Sequence, residues 1–256
     1  MLIASWNVNS IGVRLPHVLS WLQAVGPDHL GMQELKCTDD KFPYNQFEEA
    51  GYSAKVRGEK TYNGVAVVSR SNCNLVADSL PGCPEPVQSR LIEVETNGIY
   101  ILNLYVPNGS EVGSNKYEYK LNWFSALHNF IATNHKPEDK LVVLGDFNIA
   151  PQDIDVHDPK EWDGQVLVSD LERECFAKLL SLGLTDSFRH LNVESGHYSW
   201  WDYRQMAFRR NRGLRIDHIL VSKPLLGSLK RSWIDKAPRK LEKPSDHAPV
   251  LIELDI

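Results

Sequence analysis

The chain has 256 residues, of which 42% are hydrophobic and 24% are charged, and this average composition excludes disordered, collagen-like and coiled-coil proteins. The formal net charge of −5 also excludes a basic field over the whole surface. A nucleic-acid partner would therefore require Lys and Arg side chains gathered at one place.

Strand and helix signals alternate from the N-terminus onward. The apolar run Leu2–Trp6 predicts a strand, because a polar segment with two asparagines follows it. A helix comes next, for which Pro16 suits the first turn and Gly26 marks the end. A second strand is predicted at His29–Met32. The segment Tyr62–Ser69 is typical of a hairpin strand, because it opens with Asn-Gly and continues with β-branched residues.

The rest of the chain repeats this alternation. Ser169 and Glu172 form an S-x-x-E capping box, which predicts a leucine-rich helix that ends near Gly183. No linker or low-complexity tract divides the sequence, so we predict one domain over residues 1–256. An earlier helix is indicated by apolar residues at helical spacing, namely Leu121, Phe124, Leu127 and Ile131. The remaining predicted strands are Gly98–Val106, Leu141–Leu144, Leu214–Val221 and Ala248–Leu254.

Polar side chains recur where the predicted strands end. In layered α/β proteins, functional sites assemble at one edge of the sheets from loops of this kind. Each such residue alone is more often a turn former, but their shared position indicates one common site. The set consists of Asn7, Glu34, Tyr105, Asn108, Asp146, Asn148, Asp217, Asp246 and His247.

Missing motifs narrow the chemistry of this site. The sequence contains no P-loop, no dinucleotide-binding glycine motif, no nucleophile elbow and no H-E-x-x-H zinc motif. What remains is a group of oxygen donors with one histidine. Hard oxygen ligands suit Mg²⁺, or alternatively Mn²⁺, better than Zn²⁺.

These residue types match the needs of phosphodiester hydrolysis by water. The reaction requires an oriented nucleophile, neutralised charge on the phosphate and a stabilised leaving oxygen. Glu34 is suited to bind the metal ion, and Asp146 is suited to position and deprotonate the water. The remaining polar residues are suited to the phosphate oxygens, which Asn7, Asn148 and His247 would contact while Asp217 orients the ring of His247.

Eight ordered segments resemble the exodeoxyribonuclease III branch of the abasic-site endonuclease family. This branch belongs to the exonuclease–endonuclease–phosphatase superfamily, which includes DNase I. The segments span nearly the whole chain and are individually specific. They are SWNVNSIGVRLP (5–16), MQELKC (32–37), YNGVAVVSR (62–70), NLYVPNG (103–109), VLGDFNIAPQDID (143–155), YSWWDYR (198–204), GLRIDHILVS (213–222) and PSDHAPV (244–250).

The resemblance implies a fold and a role for each matching residue. The fold is a four-layered α/β sandwich of the DNase I type, in which two packed, mainly antiparallel sheets carry helices on the outside. Glu34 is implied as the main Mg²⁺ ligand, with Asn7 near the metal and the phosphate and Asp246 as a second metal-side carboxylate. The other implied catalytic residues are Tyr105 at the scissile phosphate with Asn108 beside it, Asp146 and Asn148 at the water and the phosphate, and Asp217 in support of His247.

A cationic segment supplies the expected DNA contact. Residues 204–215 contain five arginines and no acidic residue, and they directly follow four aromatic residues. This pairing suits phosphate contacts together with stacking on an unpaired base. By resemblance, Trp200 and Leu214 would flank a pocket for an extruded sugar. The arginines are Arg204, Arg209, Arg210, Arg212 and Arg215, and a weaker patch is Lys36, Lys41, Lys55, Arg57 and Lys60.

The sequence is therefore interpreted as a Mg²⁺-dependent DNA-repair nuclease. It would cut 5′ to abasic sites in double-stranded DNA and trim damaged 3′ ends, as a 3′→5′ exonuclease, 3′-phosphatase or 3′-phosphodiesterase. We expect a monomer that has no membrane partner. Two alternatives stay open, which are a metal-dependent phosphatase or phosphodiesterase acting on a non-DNA substrate such as an inositol phosphate, and a non-catalytic module that binds damaged DNA.

The cysteines and the N-terminus indicate a cytoplasmic protein. Four cysteines without a C-x-x-C pair make neither a zinc site nor a disulfide scaffold. The first ten residues lack the features of a secretory signal, and no run approaches 18 apolar residues.

Overall fold

Two six-stranded sheets lie at the centre of the computed structural model, which describes residues 1–256. The strands are β1 (Leu2–Asn7), β2 (His29–Gln33), β3 (Ser53–Arg57), β4 (Val65–Ser69), β5 (Asn74–Ala77), β6 (Leu91–Thr96), β7 (Ile99–Tyr105), β8 (Lys140–Asp146), β9 (Leu184–Asp186), β10 (Asp217–Ser222), β11 (Leu229–Ile234) and β12 (Val250–Leu254). The helices are α1 (Ile11–Val25), α2 (Tyr44–Glu49), α3 (Asn115–Asn134), α4 (Pro159–Trp162), α5 (Asp170–Leu180), α6 (Ser187–Leu191) and α7 (Lys223–Leu226).

The sheets pack face to face and carry helices on their outer faces. The strand order is β11-β12-β1-β2-β4-β3 in one sheet and β5-β6-β7-β8-β10-β9 in the other. Inner-face side chains such as Ile3 and Val142 form the core between the sheets. A second core, with Trp6 and Leu22, joins α1 and α2 to the first sheet, and a third, with Phe124, joins α3 and α5 to the second. Since only β1–β2 and β7–β8 run parallel, the predicted mainly antiparallel four-layered sandwich is confirmed.

Strand β8 shows why the short apolar runs of the sequence form central strands. Leu141 and Val143 pack against the helical layer, whereas Val142 and Leu144 point between the sheets. Both faces of the strand are buried, so the sequence has a continuous apolar run instead of an alternating one. The strand ends at Asp146, where burial of apolar side chains gives way to the polar edge.

The predicted elements are all present, although some boundaries differ. The helix after Ser169 begins with the predicted capping box. The Glu172 carboxylate accepts hydrogen bonds from the Ser169 N–H at 3.2 Å and from the Ser169 hydroxyl at 2.5 Å. Strand β4 forms the predicted hairpin with β3, but it begins at Val65, three residues later than expected. Strand β10 likewise begins at Asp217, because the residues before it pair only in isolated bridges.

The predicted start of the first helix is wrong. Helix α1 begins at Ile11, so Pro16 lies in the second turn instead of the first. The earlier start is possible because the loop after β2 satisfies the first backbone donors, as Ser10 N–H bonds the Glu34 carbonyl at 2.7 Å and Ile11 N–H bonds the Leu35 carbonyl at 3.0 Å. This tertiary contact links the helix to the loop that carries Glu34. None of the helices combines the length and apolar composition that crossing a bilayer requires.

A buried polar contact fixes one sheet against the other beneath the polar edge. Asn103 on β7 donates to the carbonyl oxygens of Met32 and Ala66, each at 2.9 Å, and accepts from the Gln33 amide at 2.6 Å. Gly31 makes this approach possible, since a Cβ there would lie 2.3 Å from Leu144 Cδ1. The end of β2 is therefore held in register with β7 and β8 across the core.

Candidate active site

The polar strand ends predicted from the sequence come together at one edge of the two sheets. In the first sheet, Asn7 ends β1 and lies opposite Gln33, the residue before Glu34. In the second sheet, Asp146 ends β8 and lies opposite both Tyr105 on β7 and Asp217 on β10. Because the sheets are packed together, these ends line a common cleft, which the loop before β12 completes.

Two carboxylates meet at the centre of the cleft. The Asn7 side-chain amide donates to Glu34 Oε1 at 3.0 Å and to Asp146 Oδ2 at 2.9 Å. Glu34, Asp146 and His247 can each offer one ligand atom, and these atoms lie within 4.8 Å of one another. Asn7 thus positions both carboxylates, while its own Oδ1 accepts the N–H of Asn9 at 3.0 Å.

Glu34 is held by its backbone and by a neighbouring cation. It has a positive φ of 52°, which turns the chain sharply out of β2. Lys36, which the sequence had placed in a DNA-facing patch, lies 3.0 Å from Glu34 Oε2 and donates to Asn9 Oδ1 at 2.6 Å. Burial opposes ionisation of Glu34, but the hydrogen bond from Asn7 and the charge of Lys36 outweigh it and lower the pKa of Glu34. The carboxylate is therefore ionised at neutral pH.

His247 forms a buried pair with Asp217. Its Nδ1 lies 3.0 and 2.9 Å from the two carboxylate oxygens of Asp217. Ser199, which sequence reasoning missed, donates its hydroxyl to Asp217 Oδ2 at 2.6 Å and accepts the N–H groups of residues 216 and 217. Burial alone would lower the pKa of His247, but the negative charges of Asp217 and Asp146 raise it to about 10. The imidazole is therefore cationic at neutral pH, with its Nε2 facing the cleft 3.7 Å from Asp146 Oδ2.

Asp146 is a buried carboxylate whose pKa is raised above its ordinary value. Its side chain is almost fully buried between Asn7 and His247, and its Oδ1 accepts the N–H of Asn148 at 2.9 Å. Burial raises the pKa of Asp146 to about 7, with further contributions from the nearby charges of Asp217 and Glu34 and with opposition from His247. A carboxylate with a pKa near neutrality is suited to accept a proton from water.

Tyr105 is fixed by an arginine that the sequence did not single out. Arg90 donates to the Tyr105 carbonyl at 3.1 Å, and its guanidinium carbon lies 4.6 Å from the centre of the tyrosine ring. Burial raises the pKa of Tyr105 well above its ordinary value, and the negative charge of Glu34 adds to this effect. The phenol therefore stays protonated and can donate a hydrogen bond into the cleft.

The two predicted asparagines lie side by side. The Asn108 amide donates to Asn148 Oδ1 at 3.0 Å, and the Asn148 amide donates to the Val106 carbonyl at 2.9 Å. Asn148 has a φ of 51°, a left-handed conformation that Asn tolerates better than most residues. Asn108 is exposed and Asn148 is buried, so only Asn108 is fully open to a large substrate.

Asp246 lies outside the central acidic cluster. One carboxylate oxygen accepts from the Asn9 amide at 2.8 Å and the other accepts from the Trp200 indole at 3.0 Å. Burial would raise its pKa, but the charge of His247 and these hydrogen bonds lower it. In this arrangement, Asp246 joins the loop of Asn9 to the ring of Trp200, and both oxygens are already engaged.

A cavity of about 320 Å³ lies beside Trp200. The rings of Trp162 and Trp200 meet edge to face in its wall, with centroids 6.4 Å apart. The resemblance places Leu214 with Trp200 beside an extruded sugar, and in the structure the Leu214 side chain is fully buried in a small core and does not line this cavity. Of this predicted pair, only Trp200 faces the cavity.

The arginines of residues 204–215 have three different environments. Arg204 pairs with Asp202 at 2.6 Å and Arg212 pairs with Glu161, and both line the cavity beside Trp200. Arg215 is 1% exposed and bonds Asp155 and Asp186, so including it in an exposed cationic run is wrong. The sequence could not reveal this, because both acidic partners lie far away in the chain. Arg209 and Arg210 are exposed and form no ion pair.

The residues at the centre of the cleft fit a hard divalent cation. Their donors are carboxylate oxygens, and two carboxylates so close together are bridged only by one neutral amide. His247 is a poor ligand in its cationic state, because both ring nitrogens then carry protons. The acidic cluster can therefore hold a metal ion between Glu34 and Asp146, and His247 remains free for a phosphate oxygen.

Comparisons with known proteins agree with this architecture. The model of the endonuclease/exonuclease/phosphatase family matches residues 4–247. Exodeoxyribonuclease III from Haemophilus influenzae is 35% identical over an alignment of 266 positions that covers 99% of each chain. The solved 3′ phosphatase NExo from Neisseria, a variant bound to product DNA hairpin, is 47% identical with a TM-score of 0.96 over 100% of both chains. An AP endonuclease from Archaeoglobus fulgidus is 38% identical, also with a TM-score of 0.96 over 100% of both chains.

Proposed function

This chain belongs to the endonuclease/exonuclease/phosphatase family and is a DNA-repair nuclease that trims 3′ ends, and from this premise we propose its full reaction. With Mg²⁺ bound, it hydrolyses DNA phosphodiesters 5′ to abasic sites and removes damaged groups from 3′ ends. The products carry a 3′-hydroxyl and a 5′-phosphate. The observation that carries this proposal is the cluster of Glu34, Asp146 and cationic His247, within 4.8 Å of one another at the strand ends.

The protein groups divide the work of the reaction among them. Asp146 accepts a proton as the water oxygen forms its bond to phosphorus, because Asn7, Asn148 and His247 hold its carboxylate at the centre of the cleft. His247 donates a charge-assisted hydrogen bond to a non-bridging oxygen, and Asp217 keeps the imidazole cationic. Asn148 and Tyr105 contact the same phosphate. The bond from phosphorus to the leaving oxygen breaks, and that oxygen takes up a proton from solvent water to become the 3′-hydroxyl.

Mg²⁺ would be held by the carboxylates of Glu34 and Asp146, which both accept hydrogen bonds from the Asn7 amide. Mn²⁺ would fit the same oxygen donors. When bound, the ion supplies positive charge to the phosphate oxygens and the leaving oxygen. Lys36 neutralises part of the charge of Glu34 in the absence of metal. Asp246 is proposed to act at the edge of the metal site, through the Asn9 amide that it binds.

Metal binding is expected to depend on pH through Asp146. Its pKa of about 7 falls when a cation binds beside it, so binding releases a proton below pH 7 and little above it. Mg²⁺ affinity should therefore rise as the pH increases from 6 to 8, while Glu34 stays ionised throughout. Calorimetric titration with Mg²⁺ in buffers of different ionisation enthalpy measures the released proton. In the D146N variant this release should disappear, and its persistence would assign the proton to another group.

Double-stranded DNA with abasic sites or damaged 3′ ends is the proposed partner. Asn108, Arg209 and Arg210 are the exposed groups that would contact its backbone, with Trp200, Arg204 and Arg212 around the cavity. We propose that the protein acts as a monomer, with Glu34, Asp146 and His247 of the same chain forming the acidic cluster. Four free cysteines support a cytoplasmic location.

The DNA contact has its own test in the salt dependence of binding. Replacing Arg209 and Arg210 by Ala should make the negative slope of log K against log salt shallower by about 2, because each phosphate contact contributes about −0.9. Anisotropy titration of a labelled duplex between low and physiological salt measures this slope. The matched control replaces Lys230 and Arg231, two exposed cations on β11 at the far end of the sheet, and should leave the slope unchanged. Equal slopes for all three proteins would place the DNA elsewhere.

The reaction itself is tested with one set of labelled duplexes. They carry a single abasic analogue, a nick, a recessed 3′ end or a 3′-phosphate, and each is incubated with Mg²⁺ or with EDTA. We expect cleavage or 3′ trimming only with Mg²⁺. A protein that leaves all four duplexes intact but releases phosphate from an inositol phosphate would support the non-DNA alternative, and binding without turnover would support a damage-binding module.

A further inference from the structure

A buried ion pair lies directly behind the two asparagines of the site. Lys120 on α3 and Glu172 on α5 are both 0% exposed, and the Lys120 ammonium bonds the Glu172 carboxylate. A lysine buried this deeply requires an anion, because the uncompensated charge would be expensive to desolvate. Neither residue was among the site residues predicted from the sequence, since they are 52 positions apart and lie on helices.

The remaining donors of Lys120 point at the backbone of the site loops. Its Nζ donates to the Asn148 carbonyl at 2.7 Å and to the Asn108 carbonyl at 3.1 Å. Together with Glu172, these acceptors satisfy all three N–H bonds of the ammonium. The carbonyls belong to the same two residues whose side chains are joined by a 3.0 Å hydrogen bond.

Glu172 extends the pair to a third loop. Its Oε1 also accepts the N–H of Leu167 at 3.0 Å, and its Oε2 accepts both the N–H and the hydroxyl of Ser169. Leu167 in turn accepts the N–H of Ala150 at 2.7 Å, two residues after Asn148. One neutral pair therefore fixes the loop after β7, the loop after β8 and the segment before α5.

We propose that Lys120 is a positioning residue for phosphodiester hydrolysis, which holds Asn148 in its left-handed conformation so that the amide faces the reacting phosphate. Asn148 benefits from such support, because a φ of 51° is uncommon for a residue with a side chain and Lys120 donates the hydrogen bond that its carbonyl accepts. Glu172 serves as the counterion that makes the buried ammonium possible. The positioning role rests on the function proposed above, because it is defined by the contact of Asn148 with the phosphate.

The test is a double-mutant cycle on the abasic duplex with Mg²⁺ present. Replacing Lys120 with Met keeps the length of the side chain and removes its charge. We expect K120M to lower kcat by about 10²-fold with KM changed less than about twofold, because a small misplacement of a contacting group has an effect of this size. In an Asn148→Ala background, the same substitution should cause no further loss of kcat, since the group that Lys120 positions is then absent.

Two further variants separate positioning from stability. Glu93→Gln alters another buried carboxylate, whose Oε1 lies 2.8 Å from His135 Nε2, just beyond the C-terminus of α3 and roughly 22 Å along the helix from Lys120. It should lower the melting temperature and leave kcat unchanged. Glu172→Gln, which keeps the shape and the acceptor oxygen, gives a milder second route if K120M folds poorly, with the same loss of effect in the Asn148→Ala background.

The outcomes are distinct. If K120M folds too poorly for assay, Glu172→Gln takes its place in the comparison. If the substitution lowers kcat by the same factor in the wild-type and Asn148→Ala backgrounds, the pair is only structural. An equal loss of kcat in Glu93→Gln would lead to the same conclusion. A wild-type protein that fails to cut the duplex would instead overturn the proposed function. An active wild type whose Lys120 and Glu172 variants keep full kcat would overturn the positioning role alone.

Discussion

The D146N variant is expected to have a kcat about 10²–10⁴-fold below that of the wild type, while its affinity for duplex DNA stays nearly unchanged. The amide has almost the same shape as the carboxylate, so the buried contacts with Asn7 and Asn148 can largely persist. The amide cannot accept the proton that water must release, and the substitution removes one negative charge from the acidic cluster. Single-turnover cleavage of an abasic duplex and anisotropy titration of the same duplex measure the two quantities separately.

A matched control lies seven residues further along the same loop. Asp153 is exposed and pairs with Arg173 at the surface, so Asp153→Asn should change neither quantity. Saturating Mg²⁺ distinguishes the two roles of Asp146, because added metal can restore weakened metal binding but cannot restore a missing proton acceptor. Wild-type turnover by D146N at saturating Mg²⁺ would remove Asp146 from the proton transfer.

The positions of the candidate catalytic residues could be predicted because they are encoded locally. Asn7, Glu34 and Asp146 each follow a short apolar run, and the ends of such runs in a layered fold gather at one edge. The structure confirms this, since Asp146 lies opposite both Tyr105 and Asp217 in the strand register. The motifs therefore specified the layered fold and the composition of the cleft.

The partners of these residues could not be predicted, because they depend on contacts between distant segments. Arg215 lies in a segment without acidic residues, yet it is buried against Asp155 and Asp186. Nothing in the sequence distinguishes Lys36 from an ordinary surface lysine. In the structure it lies against Glu34, where the backbone turns with a positive φ. Side-chain pairing of this kind follows from the three-dimensional approach of loops, which no local pattern in the sequence records.

The Asp217→Asn variant is expected to lose about 10²-fold in kcat near pH 8, with a smaller loss near pH 6. Asp217 is the main favourable cause of the raised pKa of His247, which is about 10 in the wild type. Without that charge, burial favours the neutral imidazole, so the pKa falls and the cation is lost at lower pH. The alkaline limb of the kcat profile should therefore lie closer to neutrality in Asp217→Asn than in the wild type. A pH series of kcat for both proteins measures this displacement.

The direction of the shift also predicts a change in stability. A folded-state pKa above the ordinary 6.5 stabilises the fold below that value, and this contribution is lost as the pH rises from about 6.5 to about 10. The wild type without metal should thus lose melting temperature over that window, and Asp217→Asn should lose less. Ser199→Ala removes only the hydroxyl that binds Asp217 at 2.6 Å, so its alkaline limb should fall between the other two. If all three proteins share one alkaline limb, then the positive charge of His247 contributes nothing to the rate, and the Asp217–His247 pair serves only to hold β10 against the loop before β12.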